Sequence, residues 1–599
     1  MKHRLKHTIA VCIDFLARPF TRMSAFTVSM LVVYVLQKYL LHAQGIQLKY
    51  VVPELYTWAL LLSVLKGKWR TAAEWVVIVV AGCVSVVEAF LMNRFHIELS
   101  CQAIQLLMET NGDEATQFLH SFVFTGDTLK YFGVWAVGLA AAGGIYLIRA
   151  KGLLRPWLAK AESYPKGLFV AKVALIVAVA GFYFVRTGWL SMQPRLVYTL
   201  LGDSVSEFET RFIAAEEAGG GGACTPMSRL VHGARLYHLT TKQCHELIAV
   251  AQHTRIDGCN HRAQNLILIV GESFIKRHAQ IYGYDLPTTP RMLEQKNSGN
   301  LVAVDDAITM LARTSDVFKE MLSMHSVNQP GSWSSQPIFL QLFRQAGYRV
   351  SMISNQYTRF SSDIWNSTGA FFLTNPEVSK WLVDYQNEQK YRFDEGLLAE
   401  VNAQMRQNAD HRFILLHMRG QHVSFNYGYP ENHRYFTAKD YARRRELTRE
   451  QKETVADYDN CTRYQDSIAG ALFDRYASTD MVIVMVSDHG ENVYDDGKTL
   501  GRVHNEYSRE LIESQYQIPM WIWCSPKYQA LHPDMMERIR RAASQPFEID
   551  DIPHLMLDLA GIKCKYFNPT RSPINPSFNP HRKRLIGDQK ADYRKLMGK

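Results

Sequence analysis

The chain has 599 residues, a formal net charge of +10 at pH 7 and 47% hydrophobic residues. This length is too great for one ordinary core and predicts two domains. No nucleic-acid-binding motif accompanies the basic charge, which argues against a nucleic-acid partner and favours an anionic membrane surface.

Long apolar runs dominate the first third of the chain and predict five helices, each near the length that spans a bilayer. They cover residues 23–43, 51–66, 74–93, 131–149 and 167–186. Basic segments precede the first helix and connect the second to the third and the fourth to the fifth, so these segments are expected in the cytoplasm. Five crossings then place the rest of the chain on the opposite side, in a bacterium the periplasm or the outside.

The composition changes twice after the apolar helices. We expect an anchor domain over 1–200, a linker over 201–262 that includes the run EEAGGGGACTP, and a second domain over 263–599. In the second domain, short apolar runs alternate with amphipathic stretches, which predicts an α/β fold with a mostly parallel sheet buried on both faces. The predicted strands lie within residues 265–273, 336–356, 412–420, 481–490 and 517–524.

Nine cysteines are present, and seven of them would face an oxidising compartment, where disulfides are allowed. An odd exported set leaves at least one thiol unpaired. The sequence does not fix the pairing, and a bridge between Cys244 and Cys259 is a guess.

Three of the predicted strands end in polar residues. Glu272 and Ser273 follow the first strand, His417 and His422 lie at the end of another, and the sequence SDHGE (487–491) follows a third. The carboxyl ends of parallel strands meet at one edge of a sheet, and carboxylates with imidazole there suit zinc, among other divalent metals. Asp-His-Gly after a strand can also be a plain loop, and a histidine inside an apolar run, such as His417, is more often a hydrogen-bonded core residue than a ligand.

Several motifs occur in the same order across both predicted domains. They are LLMETNGDEATQFL (106–119), LIVGES (268–273), YGYDLPTTP (282–290), QAGYRVSMISNQ (345–356), RGQHVSFNYGYPE (419–431), DYDN (457–460), SDHGENVYD (487–495) and NPTRSPINPSF (568–578). With these motifs the chain resembles the bacterial membrane-bound phosphoethanolamine transferases of the alkaline phosphatase and sulfatase superfamily, above all the lipopolysaccharide core heptose type. The resemblance implies a five-helix anchor, a periplasmic sulfatase-like catalytic domain and a zinc-bound threonine nucleophile.

The resemblance implies that Glu272, Asp488, His489 and the hydroxyl of Thr314 bind the metal, with zinc favoured over manganese or another divalent ion. Thr314 would be the nucleophile, because its place 42 positions after Glu272, before a helix-like stretch, matches the spacing between the Gly-Glu motif and the nucleophile in the family it resembles. It is also a natural helix N-cap. Ser315 is adjacent and Thr309 is nearby, so both stay open as alternatives. Ser273 is a further alternative, but it lacks the G-x-S-x-G context of a nucleophile elbow, and local hydrogen bonding is its expected role.

The same resemblance assigns substrate contacts. His422 and His504 would neutralise charge on the phosphoryl oxygens, and one of them, or a water, would protonate the leaving group. A separate expectation rests on position: Glu109, Asn111 and Glu114 lie in the predicted exported loop between the third and fourth helices, close to the membrane surface. They would bind the ammonium of a lipid headgroup, unless they are simply an exposed polar helix cap. Glu491 and Asn492 would support the metal ligands.

The expected function is transfer of phosphoethanolamine from phosphatidylethanolamine to lipopolysaccharide by a monomeric enzyme of the bacterial inner membrane. A ping-pong cycle would pass through a covalent phosphothreonine. The acceptor stays open between core heptose, lipid A and a periplasmic glycan. The alternatives are phosphoglycerol transfer or phosphodiester hydrolysis by a related enzyme, and a non-catalytic envelope protein. A formylglycine sulfatase is disfavoured, because in CTPMSR (224–229) the arginine is one position too far from the cysteine.

Overall fold

The structure is a computed structural model that describes residues 2–40, 48–95, 99, 104, 126–153, 156, 163–184, 198–217, 225–357, 371–503, 506–587 and 589–598. The chain divides into two compact units, residues 1–241 and residues 242–599.

Residues 1–241 are helical. The five predicted apolar helices are present as Ser24–Leu40, Leu48–Leu62, Gly67–Phe95, Gly126–Ala150 and Pro165–Phe184, and Lys2–Leu16 is a further helix that the sequence analysis did not predict. Among the described residues, two segments are long and apolar enough to cross a membrane, Gly67–Asn93 and Lys130–Ala150. The five predicted helices are therefore confirmed as helices, and two of them meet the length and composition of a membrane span.

Ionisable side chains buried between these helices are paired. Glu54 accepts a hydrogen bond from Tyr34 at 3.0 Å, and Arg229 Nε donates to Glu88 Oε2 at 3.0 Å. A charged group is costly to bury among apolar helices unless a partner satisfies it. These contacts hold the helices in one arrangement, and the pairing of Arg229 with Glu88 gives the arginine of the CTPMSR segment a role within this helical unit.

The predicted linker contains regular structure. Val205–Glu217 and Pro226–His253 are helices, and most of the Gly-rich run between them lies outside the described residues. The guessed Cys244–Cys259 disulfide is wrong, since both residues are free thiols. Cys244 is buried in the second of these helices, whereas Cys259 lies in a two-residue strand that pairs with Ile562–Lys563.

A seven-stranded sheet is the centre of residues 242–599. Its strands, in chain order, are β1 (Asn265–Gly271), β2 (Leu301–Ala303), β3 (Tyr348–Ser354), β4 (Tyr385–Gln386), β5 (His411–His417), β6 (Met481–Ser487) and β7 (Met520–Cys524). Their order across the sheet is β2-β7-β6-β1-β5-β3-β4, and only β7 runs in the direction opposite to the other strands. Every residue of β1, β6 and β7 is buried. The mostly parallel sheet covered on both faces is thereby confirmed.

Helices cover the sheet and short ribbons complete this unit. The helices are Pro290–Asn297, Thr314–Leu322, Phe339–Gln345, Phe371–Thr374, Pro376–Leu382, Leu397–Met405, Arg449–Tyr476, Arg509–Gln515, Pro526–Leu531, Pro533–Arg541, Ile552–Ala560 and Tyr593–Leu596. Besides the Gly258–Cys259 pair, two-stranded sheets join Asp306–Ile308 to Pro546–Glu548, Asn492–Val493 to Leu500–Gly501, and Leu585–Ile586 to Ala591–Asp592.

The longest helix of this unit forms much of the core beside the sheet. Arg449–Tyr476 begins with a capping box, in which the Thr448 side chain accepts from the Gln451 backbone and the Gln451 side chain accepts from the Thr448 backbone. Its apolar side chains belong to the same buried cluster as those of β1 and β5. The sheet is thus held rigidly behind the edge at which β1, β5 and β6 end.

Candidate metal centre and nucleophile

Strand register brings the predicted ligands side by side. Gly271 at the end of β1 pairs with Ser487 at the end of β6, and the Asp488 backbone N–H donates to Gly271 O at 3.0 Å. Glu272 and the Asp488–His489 pair are therefore the first residues beyond two adjacent parallel strands, where ligand sites of such sheets lie. The Ser487 hydroxyl fixes this loop, because it accepts from Phe274 N at 2.9 Å and donates to His489 O at 2.7 Å.

Four of the predicted side chains meet at this edge. The Thr314 hydroxyl lies 3.0 Å from Glu272 Oε2 and 3.1 Å from His489 Nε2. His489 Nε2 is 3.2 Å from Asp488 Oδ2 and 3.6 Å from Glu272 Oε1. One ligand atom from each of Glu272, Asp488 and His489 lies within 4.8 Å of the others. The arrangement is a convergent set of two buried carboxylates, one buried imidazole and one half-buried hydroxyl.

His489 presents the nitrogen that a metal requires. Its Nδ1 lies 2.9 Å from Gly490 O, where Nδ1–H donates and leaves the Nε2 lone pair directed at the other three groups. Burial, with the nearby Arg502 guanidinium, lowers the pKa of His489 to about 3. The imidazole is therefore neutral at physiological pH, as a metal ligand must be.

The pKa values of the two carboxylates are shifted in opposite directions. Burial raises the pKa of Asp488 well above its usual value and the Glu272 charge raises it further. Burial alone would also raise the pKa of Glu272, but the neighbouring His489 imidazole, the Arg502 guanidinium and a hydrogen bond from Gln356 outweigh burial and lower it. Asp488 Oδ1 accepts from the backbone of Ser273 and His489, but its Oδ2 is buried without a hydrogen-bond partner. An orphaned carboxylate oxygen facing an imidazole lone pair fits a divalent cation, and oxygen with nitrogen donors fits zinc.

Neighbouring side chains orient Glu272. The Ser273 hydroxyl donates to Glu272 Oε1 at 2.8 Å, and Gln356 Nε2 lies 3.0 Å from Glu272 Oε2. Ser273 has a φ of 56°, a left-handed backbone that turns the chain after β1. These contacts give Ser273 the local hydrogen-bonding role expected of it, with its hydroxyl directed at a carboxylate.

Thr314 is the first residue of its helix, and Arg313 occupies the N-cap. The interpretation of Thr314 as an N-cap is therefore wrong: its hydroxyl is directed at Glu272 and His489. Asp316 in the first turn is buried and pairs with Arg313 at 2.7 Å and Lys319 at 3.4 Å. The N-terminus of this helix, the positive end of the helix dipole, lies at the hydroxyl and favours negative charge there.

Of the remaining predicted histidines and loop residues, one lies in the core, one lies at the surface, and the rest lie outside the described residues. His417 is fully buried, with Nδ1 3.0 Å from Ser354 Oγ and Nε2 3.1 Å from Gln356 Nε2, so it is a hydrogen-bonded core histidine, as expected. His422 is exposed and its Nδ1 lies 2.6 Å from Val423 O. His504 and the loop residues Glu109, Asn111 and Glu114 lie outside the described residues.

Glu491 and Asn492 flank the metal ligands. Glu491 is buried, its Oε2 lies 3.3 Å from Ser273 Oγ, and its Oε1 has no hydrogen-bond partner. Asn492 accepts from Asp495 N at 3.1 Å and stabilises the turn that follows. Sequence reasoning missed Gln356 and Arg502. Gln356 is the last residue of the predicted strand segment 336–356. Its position just beyond the end of β3 was the signal that could have identified it.

Comparison with known proteins gives a family match and specific relatives. The sulfatase family model matches residues 264–562. The chain is 28% identical over 346 residues to the phosphoethanolamine transferase EptC of Escherichia coli K12, and 29% identical over 346 residues to the phosphoethanolamine transferase CptA of Salmonella typhimurium. Each match covers 55% of this chain and 58% of the relative.

A solved structure is also similar. The C-terminal periplasmic domain of Escherichia coli EptC in complex with zinc is 28% identical, has a TM-score of 0.49, and covers 57% of this chain and 94% of that domain. The chain therefore carries a sulfatase-family domain over residues 264–562 and is a homologue of the bacterial phosphoethanolamine transferases of the alkaline phosphatase and sulfatase superfamily.

Proposed function

We propose that this chain transfers phosphoethanolamine from phosphatidylethanolamine to lipopolysaccharide through a covalent intermediate on Thr314. The observation that carries the proposal is the Thr314 hydroxyl at a helix N-terminus, 3.0 Å from Glu272 and 3.1 Å from His489. Thr314 lies one position inside the N-cap residue Arg313, and its hydroxyl is directed at the metal-binding groups.

Glu272, Asp488, His489 and Thr314 would hold a zinc ion. Bound there, the ion would supply positive charge that lowers the pKa of the threonine hydroxyl and makes it a strong nucleophile. Before reaction, Glu272 Oε2 accepts the hydroxyl hydrogen bond and orients Oγ1.

The reaction has two displacements at one phosphorus atom. In the first, the Thr314 hydroxyl loses its proton to water and Oγ1 forms a bond to the phosphorus of the donor lipid. The bond to the glycerol oxygen breaks, and diacylglycerol leaves with the electron pair and takes up a proton. In the second, an acceptor hydroxyl oxygen attacks the phosphorus and loses its proton, the bond to Thr314 Oγ1 breaks, and the free threonine returns. His422, exposed beyond the end of β5, is our candidate for the proton donor to the leaving oxygen.

The donor and the location belong to the same proposal. Gly67–Asn93 and Lys130–Ala150, as candidate membrane spans, support an enzyme of the bacterial inner membrane whose residues 242–599 are periplasmic. In that place a lipid donor is always available. We assign the headgroup ammonium to Glu109, Asn111 and Glu114, and a second phosphoryl contact to His504.

Related reactions would use a similar centre. Phosphoglycerol transfer and phosphodiester hydrolysis need the same metal and nucleophile, so donor choice separates them. The convergence of all four metal-binding groups argues against a non-catalytic envelope protein. The acceptor we favour is the lipopolysaccharide core, with lipid A as the alternative. An added ammonium would make the surface less anionic and weaken polymyxin binding.

The test offers the detergent-purified, zinc-loaded full-length protein two donors, phosphatidylethanolamine and phosphatidylglycerol, with purified lipopolysaccharide as acceptor. Released diacylglycerol and the mass of lipopolysaccharide are measured for wild type and Thr314→Ala. The proposal predicts diacylglycerol release and a phosphoethanolamine gain with phosphatidylethanolamine and wild type only. Preference for phosphatidylglycerol, or diacylglycerol release without a gain in acceptor mass, would favour the phosphoglycerol or hydrolytic alternative.

A further inference from the structure

We propose that Arg502 is a further catalytic residue, whose guanidinium binds the non-bridging oxygens of the phosphoryl group carried on Thr314. This inference rests on the proposed function in that it takes Thr314 as the nucleophile of a phosphoryl transfer. It does not depend on which lipid is the donor or which glycan is the acceptor.

A short hairpin brings Arg502 to the metal centre. Asn492–Val493 pairs antiparallel with Leu500–Gly501, and Gly501 is the partner of Asn492. The residues just outside the paired positions are Glu491 and Arg502, so the hairpin returns the chain to the place from which it left β6. This return explains why a residue 13 positions after His489 lies against it.

The guanidinium is directed at the same nitrogen as the nucleophile. Arg502 Nη1 is 2.5 Å from His489 Nε2 and 3.3 Å from His489 Nδ1. The Thr314 hydroxyl lies 3.1 Å from the same Nε2. Because the two groups share this neighbour, a phosphoryl group on Thr314 Oγ1 would have its free oxygens within reach of the guanidinium.

Arg502 makes only a loose ion pair with Glu491. Its Nε is 3.7 Å from Glu491 Oε2, which is a loose contact without a hydrogen bond, and its side chain is 28% exposed. A ligand nitrogen that binds a metal has no lone pair left to accept from Nη1. The planar donors of Arg502 would then be available to phosphate oxygens, which they match in geometry and charge.

The balance of charge at the metal centre also favours a cationic residue at this position. Glu272, Asp488 and Glu491 are all buried around the centre and carry three negative charges when ionised. A divalent cation alone leaves one of these charges uncompensated, and an anionic phosphodiester would be repelled. The Arg502 charge completes the balance and is placed where negative charge develops on the phosphoryl oxygens during transfer.

The test measures binding of inorganic phosphate to the zinc-loaded full-length protein by isothermal titration calorimetry, for wild type, Arg502→Ala and Arg502→Lys. The matched control is Arg443→Ala, an exposed arginine outside the site. We expect Arg502→Ala to weaken phosphate binding about tenfold or more, as loss of a charge-assisted contact does. Arg502→Lys should recover part of the affinity, since lysine keeps the charge without the planar fork. Arg443→Ala should bind like wild type.

Zinc content and unfolding temperature are measured on the same samples. The proposal predicts that Arg502→Ala keeps its zinc and unfolds at the same temperature as wild type, so that only its affinity for phosphate is reduced. It is overturned if zinc-loaded wild type binds no phosphate, if Arg502→Ala binds phosphate as tightly as wild type, or if Arg502→Ala and Arg502→Lys both lose zinc. Phosphate binding that depends on Arg502 in a protein that releases no diacylglycerol would leave this inference intact and refute the proposed donor reaction.

Discussion

The hydroxyl of Thr314 lies 3.0 Å from Glu272 Oε2, although 42 residues separate the two in the chain. Glu272 is the first residue beyond the central strand β1, and Thr314 is the first residue of its helix. The contact therefore joins a strand end to a helix N-terminus, two positions that the fold holds rigidly. The proposed chemistry depends on this junction.

Thr314→Ala should lower the transfer rate by about 1,000-fold or more, because it removes the oxygen on which the intermediate forms. Thr314→Ser keeps a hydroxyl and should retain part of the activity. Diacylglycerol release from phosphatidylethanolamine measures both variants. Equal rates for Thr314→Ala and wild type would mean that the nucleophile lies elsewhere.

Gly420→Ala should disturb Glu272 through direct contact. Gly420 has a φ of 52°, and an added Cβ would lie 2.9 Å from both the nitrogen and the oxygen of the Glu272 backbone. We expect a loss of zinc affinity, together with about 1–3 kcal/mol of unfolding free energy.

Gly299→Ala is the matched control for Gly420→Ala. Gly299 also has a positive φ, of 79°, but an added Cβ meets nothing within 4 Å. It should lose about 1–2 kcal/mol from backbone strain alone and bind zinc like wild type. Equal zinc affinity in both variants, measured by competition with a chromogenic chelator, would refute the contact with Glu272.

Asp488→Asn should have opposite effects with and without metal. Without metal, burial and the Glu272 charge both raise the pKa of Asp488, so a neutral side chain should leave the protein at least as stable as wild type. At a zinc concentration of about 100 times its Kd, wild type should gain about 2.7 kcal/mol, and Asp488→Asn should gain less than half of that.

Thermal unfolding with added zinc and with chelator checks this pair of expectations, and Asp496→Asn, on the neighbouring hairpin, serves as control. The metal assignment predicts a zinc response in Asp496→Asn equal to that of wild type. A zinc response in Asp488→Asn as large as that of wild type would argue against Asp488 as a ligand.

His278→Gln should change the pH dependence of stability. Burial opposes the charge on His278, but Asp459 at 2.6 Å and Asp495 at 3.2 Å raise its pKa to about 10. A pKa raised in the folded state contributes stability that is complete below the unfolded value of about 6.5 and is lost as the pH rises toward 10. The variant should therefore cost about 3–5 kcal/mol below pH 6.5 and progressively less above it.

Denaturant unfolding of wild type and His278→Gln at pH 6 and pH 9.5 measures this difference. The surface substitution His581→Gln is the control and should cost little at either pH. A cost for His278→Gln that stays constant, or grows, between the two pH values would contradict a protonated His278.

Sequence periodicity located most of the sheet, because strands buried on both faces are continuous apolar runs. The same property hid the direction of β7, since a strand that is apolar on both faces reads alike whether it runs parallel or antiparallel. The strands Leu301–Ala303 and Tyr385–Gln386 were missed, because two or three residues carry no periodic signal.

The site residues that could be predicted are likewise those next to apolar strands. Glu272, Asp488 and His489 could be predicted because they directly follow apolar strands, and Thr314 came only from the family resemblance. Arg502 could not be predicted, because its position depends on the register of a two-residue hairpin. The Cys244–Cys259 pairing failed because the sequence carries no signal for which thiols meet in space.

The most direct test of a zinc-dependent covalent intermediate on Thr314 is the intact mass of the detergent-purified protein after incubation with phosphatidylethanolamine, with diacylglycerol measured in the same tube. Wild type and Thr314→Ala are compared, each with zinc and with chelator. We expect a phosphoethanolamine adduct, or diacylglycerol release if the adduct turns over rapidly, in zinc-loaded wild type and in none of the other samples. Zinc-loaded wild type with neither adduct nor diacylglycerol, or an adduct of equal amount on Thr314→Ala, would contradict this expectation.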